Sequence, residues 1–418
     1  MARKTQAQKK FDSSMTADDL VVSLSDELGF SPMGDTKYAE IENYLPTFFP
    51  LLDANVSGVP FKRLSEIYAE KGVGKSTFVG WLTHVANVLG IDIFWIDTEG
   101  TASKTRMKQL GVDIQKTRTL VPKPNSPMTI EYVGQVVEKI IDAYSESDLL
   151  KNRPLIIIWD SLGSTGADEQ MKKELGEEGR RGRKASAITD FTTKITPKVN
   201  NVNVALLVIN QVRQNQNKSI YNPKEFVRPG ATALDHWESM LLFLTKHQKL
   251  RDKDKEYLGH RVNVFAEKLK NGGKPESNTD LYVLANLEIP SGKKDAVGND
   301  IMYDFPGFSY AYNIIQEAIE VDVIKKSASW MSAPDENGEE FKTQHIEDLL
   351  VRAIEDDKFL PFLFKQVVYK AFPEYCPYLH YKDIDVTKWP GLDDGEVAAH
   401  YAEIDKKLGN SSEVVEEN

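Results

Sequence analysis

The sequence predicts an α/β fold in which helices cover both faces of a mainly parallel β-sheet. Two apolar runs, at residues 155–159 and 204–209, are continuous rather than alternating, as in strands that are buried on both faces. Amphipathic segments separate such runs, and helices of this kind connect parallel strands. These observations predict one large sheet domain within the 418 residues, with a smaller C-terminal domain.

The first predicted helix spans residues 16–28. Thr16 can cap its N-terminus, and three leucines from Leu20 to Leu28 share one face. Because an isolated amphipathic helix of this length is not stable in water, it must dock on its own core or on a neighbouring molecule. The chain then runs irregularly through residues 37–59.

The next segment, residues 64–77, has the pattern of a phosphate-binding loop, with a short strand, two glycines and Lys-Ser-Thr at the start of a helix. In such a loop the backbone N–H groups face one anion, Lys75 reaches the β- and γ-phosphates, and Ser76 binds Mg²⁺. Ala69 replaces the first glycine of the usual motif. The alternative is an ordinary glycine-rich turn followed by a surface lysine. The predicted nucleotide-binding residues are Glu70, Lys71, Gly72, Val73, Gly74, Lys75, Ser76 and Thr77.

Strands and helices alternate after this loop. The predicted strands are residues 93–97, 119–121, 155–160, 204–210, 240–245, 262–269 and 281–287. The predicted helices are a segment ending at residue 110 and residues 129–144, 186–199, 312–319 and 345–354, with an apolar stretch at 359–371.

Polar residues follow three of these strands. Asp160 ends one strand and can hold Mg²⁺ through water, or it can simply cap the next turn. Glu99 follows another strand and can deprotonate the water that attacks a γ-phosphate, or it can be a helix N-cap. Gln211 follows a third strand, where an amide can sense the γ-phosphate. The carboxyl ends of parallel strands meet at one edge, so we expect these three side chains to lie together.

Two long loops are basic enough to bind a nucleic-acid strand. The first contains Gly-Glu-Glu-Gly-Arg-Arg-Gly-Arg-Lys at residues 176–184, and the second spans residues 212–230 with aromatic residues between the basic ones. The alternative for each loop is a solvated surface insertion. The predicted DNA-binding residues are Arg180, Arg181, Arg183, Lys184, Arg213, Lys218, Ile220, Tyr221, Phe226 and Arg228.

The net charge of −11 is unevenly distributed. Residues 1–11 carry four basic residues and no acid, whereas residues 393–418 carry eight acids and two lysines, so both ends are predicted to be weakly ordered tails. No apolar run approaches the ~20 residues that span a bilayer, and no signal-peptide pattern is present. Cys376 is the only cysteine, which fits a reducing compartment. We therefore expect a cytoplasmic protein without membrane contact.

An ordered series of motifs in residues 37–332 resembles the RecA-family DNA recombinases. The series is Tyr-Ala-Glu-Lys-Gly-Val-Gly-Lys-Ser-Thr, Ile-Asp-Thr-Glu-Gly-Thr, Leu-Gly-Val-Asp, Ile-Ile-Ile-Trp-Asp-Ser, Ile-Asn-Gln-Val-Arg and Pro-Gly-Ala-Thr-Ala-Leu. It is similar to a divergent member, bacterial or phage-like. The resemblance implies an ATPase with Mg²⁺ that forms a helical filament on single-stranded DNA, pairs it with homologous duplex and promotes strand exchange. Single-strand-binding and loader proteins are further expected partners, and a bacterial cell or a phage-infected host is the expected location.

The resemblance also implies roles for individual residues and regions. Arg106 falls where the family stacks a side chain on the adenine, and Lys268 and Lys270 match lysines that reach the neighbouring subunit's nucleotide. Asp235 stands where the bacterial protein has an interface lysine. The two DNA-binding loops match residues 168–185 and 212–230. The predicted organisation is an N-terminal arm with a polymerisation helix (1–36), an ATPase core with two DNA loops (37–295), a small α+β C-terminal domain (296–392) and an acidic tail (393–418).

Three other functions are compatible with a phosphate-binding loop. A ring helicase shares the fold class but does not account for two long DNA loops. A kinase does not account for Gln211 followed by a basic loop. A non-catalytic relative that regulates a filament does not need Lys75, Glu99 and Asp160.

Overall fold

The structure is a computed structural model. It describes residues 16–28, 40–100, 102–123, 128–168, 182–214, 226–251, 255–270, 272–285 and 287–408. The chain divides into two compact units, Met1–Glu40 and Ile41–Asn418, which are described separately.

Helices and strands are numbered here in chain order. The helices are α1 (Ala17–Leu28), α2 (Pro50–Val56), α3 (Lys75–Leu89), α4 (Lys104–Gln109), α5 (Ile130–Glu146), α6 (Arg183–Asn201), α7 (Ala231–Asp235), α8 (Tyr310–Glu320), α9 (Ile346–Glu355), α10 (Phe359–Ala371) and α11 (Glu396–Leu408), with 3₁₀ helices at Pro377–His380 and Val386–Lys388. The strands are β1 (Tyr44–Leu45), β2 (Val59–Pro60), β3 (Arg63–Ala69), β4 (Asp92–Asp97), β5 (Thr117–Leu120), β6 (Leu155–Asp160), β7 (Val204–Gln211), β8 (Arg213–Gln214), β9 (Phe226–Val227), β10 (Glu238–Arg251), β11 (Tyr257–Leu269), β12 (Asn278–Leu284), β13 (Glu288–Lys294), β14 (Asp300–Asp304), β15 (Lys325–Ser327), β16 (Trp330–Pro334) and β17 (Glu340–Thr343).

The described part of the first unit contains α1, as predicted. The backbone N–H of Thr16 donates to the Asp19 carboxylate at 2.9 Å, and the Thr16 hydroxyl donates to the same oxygen at 2.6 Å. Leu20, Val21 and Val22 are exposed within this unit. These contacts explain why the helix begins here, because they satisfy polar groups at its N-terminus.

The second unit is built on an eight-stranded sheet of the described residues, in the order β12-β11-β10-β3-β7-β6-β4-β5. All neighbours from β10 to β5 are parallel, whereas β11 and β12 are antiparallel to the strands beside them. The prediction of a mainly parallel sheet is confirmed. In this register Ala69 of β3 pairs with Gln211, and Asp97 pairs with Asp160. The predicted strand ends therefore lie along one edge of the sheet.

Helices cover both faces of this sheet, which explains the continuous apolar runs. On β6, Ile156 and Ile158 belong to the core on the α3 side, while Ile157 and Trp159 belong to the core on the α5 and α6 side. Every residue of β6 is buried as a result. A strand with two buried faces gains from apolar residues at every position.

One helix was missed where the sequence was expected to be irregular. Residues 50–56 form α2, which begins at Pro50. A proline at the first helical position removes an N–H that has no helical partner, so it starts this helix rather than breaking it. The carboxylate of Asp53 in α2 accepts bonds from the backbone N–H of Thr47 and from the hydroxyl of Tyr378.

The C-terminal segment shares the core on the α3 side. The rings of Trp81 and Tyr310 are stacked at 5.7 Å, and those of Phe48 and Trp389 at 4.2 Å. The hairpin β13–β14 and the sheet β15-β16-β17 belong to this segment. The predicted boundary between residues 295 and 296 stays a prediction.

Part of the acidic tail differs from its prediction. Residues 396–408 form α11, in which Val397 and Tyr401 are buried. Lys365 donates to the carboxylates of Asp394 at 2.6 Å and Glu396 at 2.5 Å. The expectation of weak order is wrong for these residues, because two apolar side chains and an ion cluster hold the helix in place. Residues 409–418 lie outside the described residues. Across the described ranges, no helix combines the length and apolar character needed to cross a membrane.

Candidate functional site

The loop between β3 and α3 has a backbone that requires its two glycines. Gly72 and Gly74 have φ angles of 78° and 115°, which L side chains rarely adopt. A Cβ atom on Gly74 would also lie 3.3 Å from Cγ2 of Val283. Ala69, in contrast, is the last residue of β3 and pairs with Gln211 in extended backbone. The replacement of the first motif glycine by Ala69 is therefore compatible with the loop.

Lys75 lies inside this loop with 7% exposure. Its ammonium group donates to the carbonyl oxygens of Ala69 at 3.3 Å and Glu70 at 3.0 Å. Burial lowers the pKa of Lys75, while the charges of Asp160 and Glu99 raise it. The cation and the N-terminus of α3 lie at the same strand end, where both favour an anion.

The ends of β4, β6 and β7 bring the predicted polar residues together. The hydroxyl of Ser161 and Nε2 of Gln211 both donate to Oε1 of Glu99, the latter at 3.0 Å. Burial and the charge of Glu99 raise the pKa of Asp160 to about 7, although a hydrogen bond from the Ser76 hydroxyl lowers it. The predicted groups therefore lie together at this edge of the sheet. They are the Ser76 hydroxyl, the carboxylates of Glu99 and Asp160, and the Gln211 amide.

Asp97 shapes the turn that carries Glu99. Its carboxylate accepts the backbone N–H groups of Glu99 at 3.1 Å, Gly100 at 2.8 Å and Ala102 at 2.9 Å. The N-cap of the next helix, α4, is Ser103. The alternative role of Glu99 as that N-cap is therefore excluded. Asp97 was not among the predicted site residues, although it stands in the same Ile-Asp-Thr-Glu motif.

Arg106 lies half-buried in α4, and its backbone N–H donates to the Ser103 hydroxyl at 3.2 Å. The chain segment at Gly307, which has a φ of 67°, packs against Leu110 and Thr77. A Cβ atom there would lie 3.1 Å from Cγ2 of Thr77 and 2.5 Å from Cδ2 of Leu110. The chain at Gly307 therefore contacts both α3 and the end of α4. Contact between Arg106 and an adenine base stays a prediction.

Lys268 and Lys270 lie away from the phosphate-binding edge of their own chain. Lys268 pairs with Leu241, which in turn pairs with Glu66, three residues before the end of β3. This offset corresponds to about 10 Å along the strands. Lys268 donates to the carbonyl oxygen of Asp235, and Lys270 donates to that of His236 at 2.8 Å.

The described end of the first loop places two predicted residues at the start of α6. Arg183 is the first residue of this helix. Lys184 donates to the carbonyl oxygens of Leu162 at 2.9 Å and Gly163 at 2.8 Å. Burial and the charge of Arg213 lower the pKa of Lys184 to about 8. Its ammonium group is thus directed to two backbone carbonyls, and contact with DNA stays a prediction. Arg180 and Arg181 lie outside the described residues.

The described ends of the second loop form the short β8–β9 ladder. Arg213 pairs with Val227 and is exposed. Phe226 is half-buried and lines a cavity of about 500 Å³ together with Tyr68 and Phe243. Lys218, Ile220 and Tyr221 lie outside the described residues.

Arg228 differs from its prediction as a DNA contact. Its side chain is 7% exposed and forms ion pairs with Glu66, Glu238 and Asp235. Two of these carboxylates are fully buried, so the guanidinium compensates their charge inside the protein. A buried arginine that is bound in this way is not available to a phosphate.

Comparisons with known proteins agree with this geometry. The family model described as "RecA N-terminal domain" matches residues 30–284, more than half of the chain. The chain belongs to the RecA family. It is 25% identical over 350 residues to Protein RecA of Ruminococcus albus, covering 82% of this chain and 78% of that protein. Protein RecA of Clostridium novyi is 26% identical over 280 residues, covering 67% and 69%. Protein RecA of Levilactobacillus brevis is 25% identical over 321 residues, covering 76% and 75%.

This RecA-family site contains a histidine contact that the sequence analysis missed. Nε2 of His260 lies 2.9 Å from the carbonyl oxygen of Val73, and Nδ1 lies 2.6 Å from the hydroxyl of Tyr257. A carbonyl only accepts hydrogen bonds, so Nε2 carries the proton. Burial lowers the pKa of His260, which favours the neutral ring. No signal along the sequence identifies this contact, because His260 and Val73 are 187 positions apart.

Proposed function

We propose that this RecA-family protein is a DNA-dependent ATPase and recombinase. It forms helical filaments on single-stranded DNA, pairs that strand with homologous duplex and promotes strand exchange. The observation that supports this proposal best is the contact between Gln211 and Glu99, because Gln211 ends β7 immediately before the basic segment at 212–230. One hydrogen bond thus joins a hydrolytic carboxylate to the start of a DNA-binding loop.

The nucleotide site uses residues at the carboxyl edge of the sheet. Lys75 and the N-terminus of α3 bind the phosphates. Ser76 and Asp160 would hold Mg²⁺, because a hydroxyl hydrogen-bonded to a buried carboxylate supplies the oxygen ligands that this ion prefers. When bound, Mg²⁺ neutralises charge on the β- and γ-phosphates. Glu99 orients the attacking water and accepts its proton, and Gln211 senses the γ-phosphate.

The site is completed by a second copy of the chain. Lys268 lies about 10 Å along the strands from the edge that carries its own Lys75, which favours action on a neighbour's nucleotide, and we assign the same role to Lys270. Such a composite site makes hydrolysis depend on assembly, as an arginine finger does. It requires a head-to-tail interface, which generates a helical filament when the rotation does not close.

DNA binding is assigned to residues of the two loops. The exposure of Arg213, two residues after Gln211, supports its assignment to a phosphate backbone. Arg228 is omitted from this set because its buried guanidinium is paired with three carboxylates. The other members are Arg180, Arg181, Arg183, Lys184, Lys218, Ile220, Tyr221 and Phe226. We place this activity in the cytoplasm of a bacterial cell or a phage-infected host.

The rate of ATP hydrolysis with and without single-stranded DNA tests this proposal. We expect DNA to stimulate hydrolysis, and the Lys75→Ala variant to show none with or without DNA. Electron microscopy with DNA and a slowly hydrolysed ATP analogue should then show helical filaments. Closed rings would favour a helicase, and a rate that is indifferent to DNA would favour a kinase.

A further inference from the structure

A buried cluster of charges lies beneath the end of the second loop. We name Glu66, Arg228, Asp235 and Glu238 the Arg228 cluster. Nη1 of Arg228 donates to Glu66 and, at 3.3 Å, to Glu238, while Nη2 donates to Asp235 and, at 3.4 Å, to Glu238. The side chains of Glu66 and Glu238 are fully buried. The guanidinium therefore joins β3, α7 and β10 at one point.

Asn210 connects the cluster to the nucleotide site. Its Nδ2 donates to Oε1 of Glu66 at 3.0 Å and to the carbonyl oxygen of Pro229 at 2.9 Å. Its Oδ1 accepts the backbone N–H of Gln211 at 2.9 Å. Asn210 is fully buried, so each of these bonds is costly to break. One amide thus joins Gln211, the cluster and the end of the loop.

The opposite side of the cluster contacts an interface lysine. Lys268 donates to the carbonyl oxygen of Asp235, and its Nζ lies 3.8 Å from the Glu238 carboxylate. The cluster therefore lies between Gln211 and Lys268. A continuous path of hydrogen bonds and ion pairs runs from Glu99 through Gln211 and Asn210 to the cluster, and then to Lys268.

We propose that Arg228 is a positioning residue that couples the nucleotide-sensing Gln211 to Lys268. This inference rests on the proposed function, since it concerns how DNA and nucleotide binding influence each other. The guanidinium is planar and donates in fixed directions, so a shift of Glu66 or Pro229 displaces Asp235 as well. The positions of the loop end and of Lys268 are then linked, which is a coupling between two sites.

The same contacts would exist if the cluster only stabilised the fold. A purely structural role predicts that loss of a contact lowers thermal stability and leaves the ratio of DNA-stimulated to basal hydrolysis unchanged. A positioning role predicts a change in that ratio in a folded protein. The ratio is therefore the measurement that separates the two roles.

The first variant is Arg228→Lys, which keeps the charge and removes the planar fork. We expect it to fold, to hydrolyse ATP without DNA at close to the normal rate, and to lose DNA stimulation by about tenfold, within the usual range of coupling between sites. The matched control is Arg261→Lys, because Arg261 pairs with Asp280 at 2.9 Å outside this path. Normal stimulation in folded Arg228→Lys would overturn the proposal.

The second variant is Asp235→Asn, which removes one carboxylate from the cluster. The Asp235 side chain is 50% exposed, so folding is not at risk. We expect reduced stimulation, with no further loss when it is combined with Arg228→Lys, because both changes break one unit. If Arg228→Lys does not fold, the Asp235→Asn variant alone tests the proposal. Normal DNA stimulation of hydrolysis in that variant would overturn the coupling. A wild-type protein without any DNA stimulation would instead contradict the proposed function.

Discussion

The nucleotide site and the Arg228 cluster both adjoin β3, and each contains one cation near a buried carboxylate. They differ in the groups that accept hydrogen bonds from that cation. The Lys75 ammonium group donates to two backbone carbonyls of its loop. Within the described part of the chain, Asp160 and Glu99 form no salt bridge. Arg228, in contrast, forms ion pairs with three carboxylates.

This difference separates a site that is open to a ligand from a cluster whose charges are compensated within the protein. In the Arg228 cluster, the buried negative charges have a partner inside the protein, which is what burial of charge requires. At the nucleotide site, Asp160 and Glu99 have no salt-bridge partner among the described residues, and Lys75 together with the helix N-terminus would favour an anion. The charged residue types do not distinguish the two regions, because both contain Glu, Asp and one basic residue.

The largest expected effect is at the nucleotide site. Glu99→Gln should retain binding of ATP and DNA while turnover falls by roughly 10²-fold or more, the usual scale for a lost general base. Steady-state hydrolysis and equilibrium binding measure the two properties. Glu138→Gln is the control, since this residue pairs with Lys194 on the surface of α5. Near-normal turnover of Glu99→Gln would assign the base to another residue.

The next effect tests whether a neighbour completes the nucleotide site. Lys268→Ala and Lys75→Ala should each be inactive, because one lacks the group supplied to the neighbour and the other lacks its own loop lysine. When equal amounts are mixed, about one interface in four should contain an intact loop and an intact Lys268 if assembly is random. The rate of hydrolysis should recover in proportion to the fraction of such interfaces. If co-assembled mixtures stay inactive at every ratio, Lys268 acts within its own chain or not at all.

A smaller effect concerns pH and the Arg228 cluster. Burial raises the pKa of Glu66 well above its usual value, and the nearby Glu238 raises it further, while Arg228 opposes this. The unfolded chain therefore releases the Glu66 proton near the usual pKa of 4.5, whereas the folded protein releases it at a higher pH. The free energy of unfolding should then decrease as pH rises from that value towards the raised pKa.

The variant Glu66→Gln mimics the protonated side chain and tests this pH dependence. Its free energy of unfolding, measured in urea, should decrease less than that of the wild type between about pH 5 and pH 8. Glu138→Gln again serves as the control with the wild-type slope. Parallel curves for Glu66→Gln and wild type would mean that Glu66 is ionised in the folded state.

The smallest effect concerns negative charge outside both regions. Deleting residues 409–418 removes three glutamates and leaves α11, with its buried Val397 and Tyr401, in place. We expect binding of single-stranded DNA to tighten by about twofold to threefold at low salt, because the glutamates compete with DNA for basic residues. A titration across a salt series measures this. Equal affinities at every salt concentration would leave solubility as the role of these residues.

Local patterns in the chain predicted the nucleotide edge well. The glycine spacing and the lysine at residue 75 predicted the loop, and the continuous apolar runs predicted buried parallel strands. The register confirms that the strand ends meet, since Ala69 pairs with Gln211 and Asp97 with Asp160. These features depend on residues that are close in sequence, or on the general geometry of parallel sheets.

The sequence by itself therefore determined the α/β class, the loop at residues 70–77 and the three polar strand ends. Only the tertiary structure decided which basic residues are free to bind a ligand. Arg228 looks like a loop cation in the sequence, but its partner Glu66 is 162 positions away. His260 reaches Val73 across 187 positions, through the pairing of β3, β10 and β11. Burial and charge compensation arise from contacts between distant segments, so no local pattern can encode them.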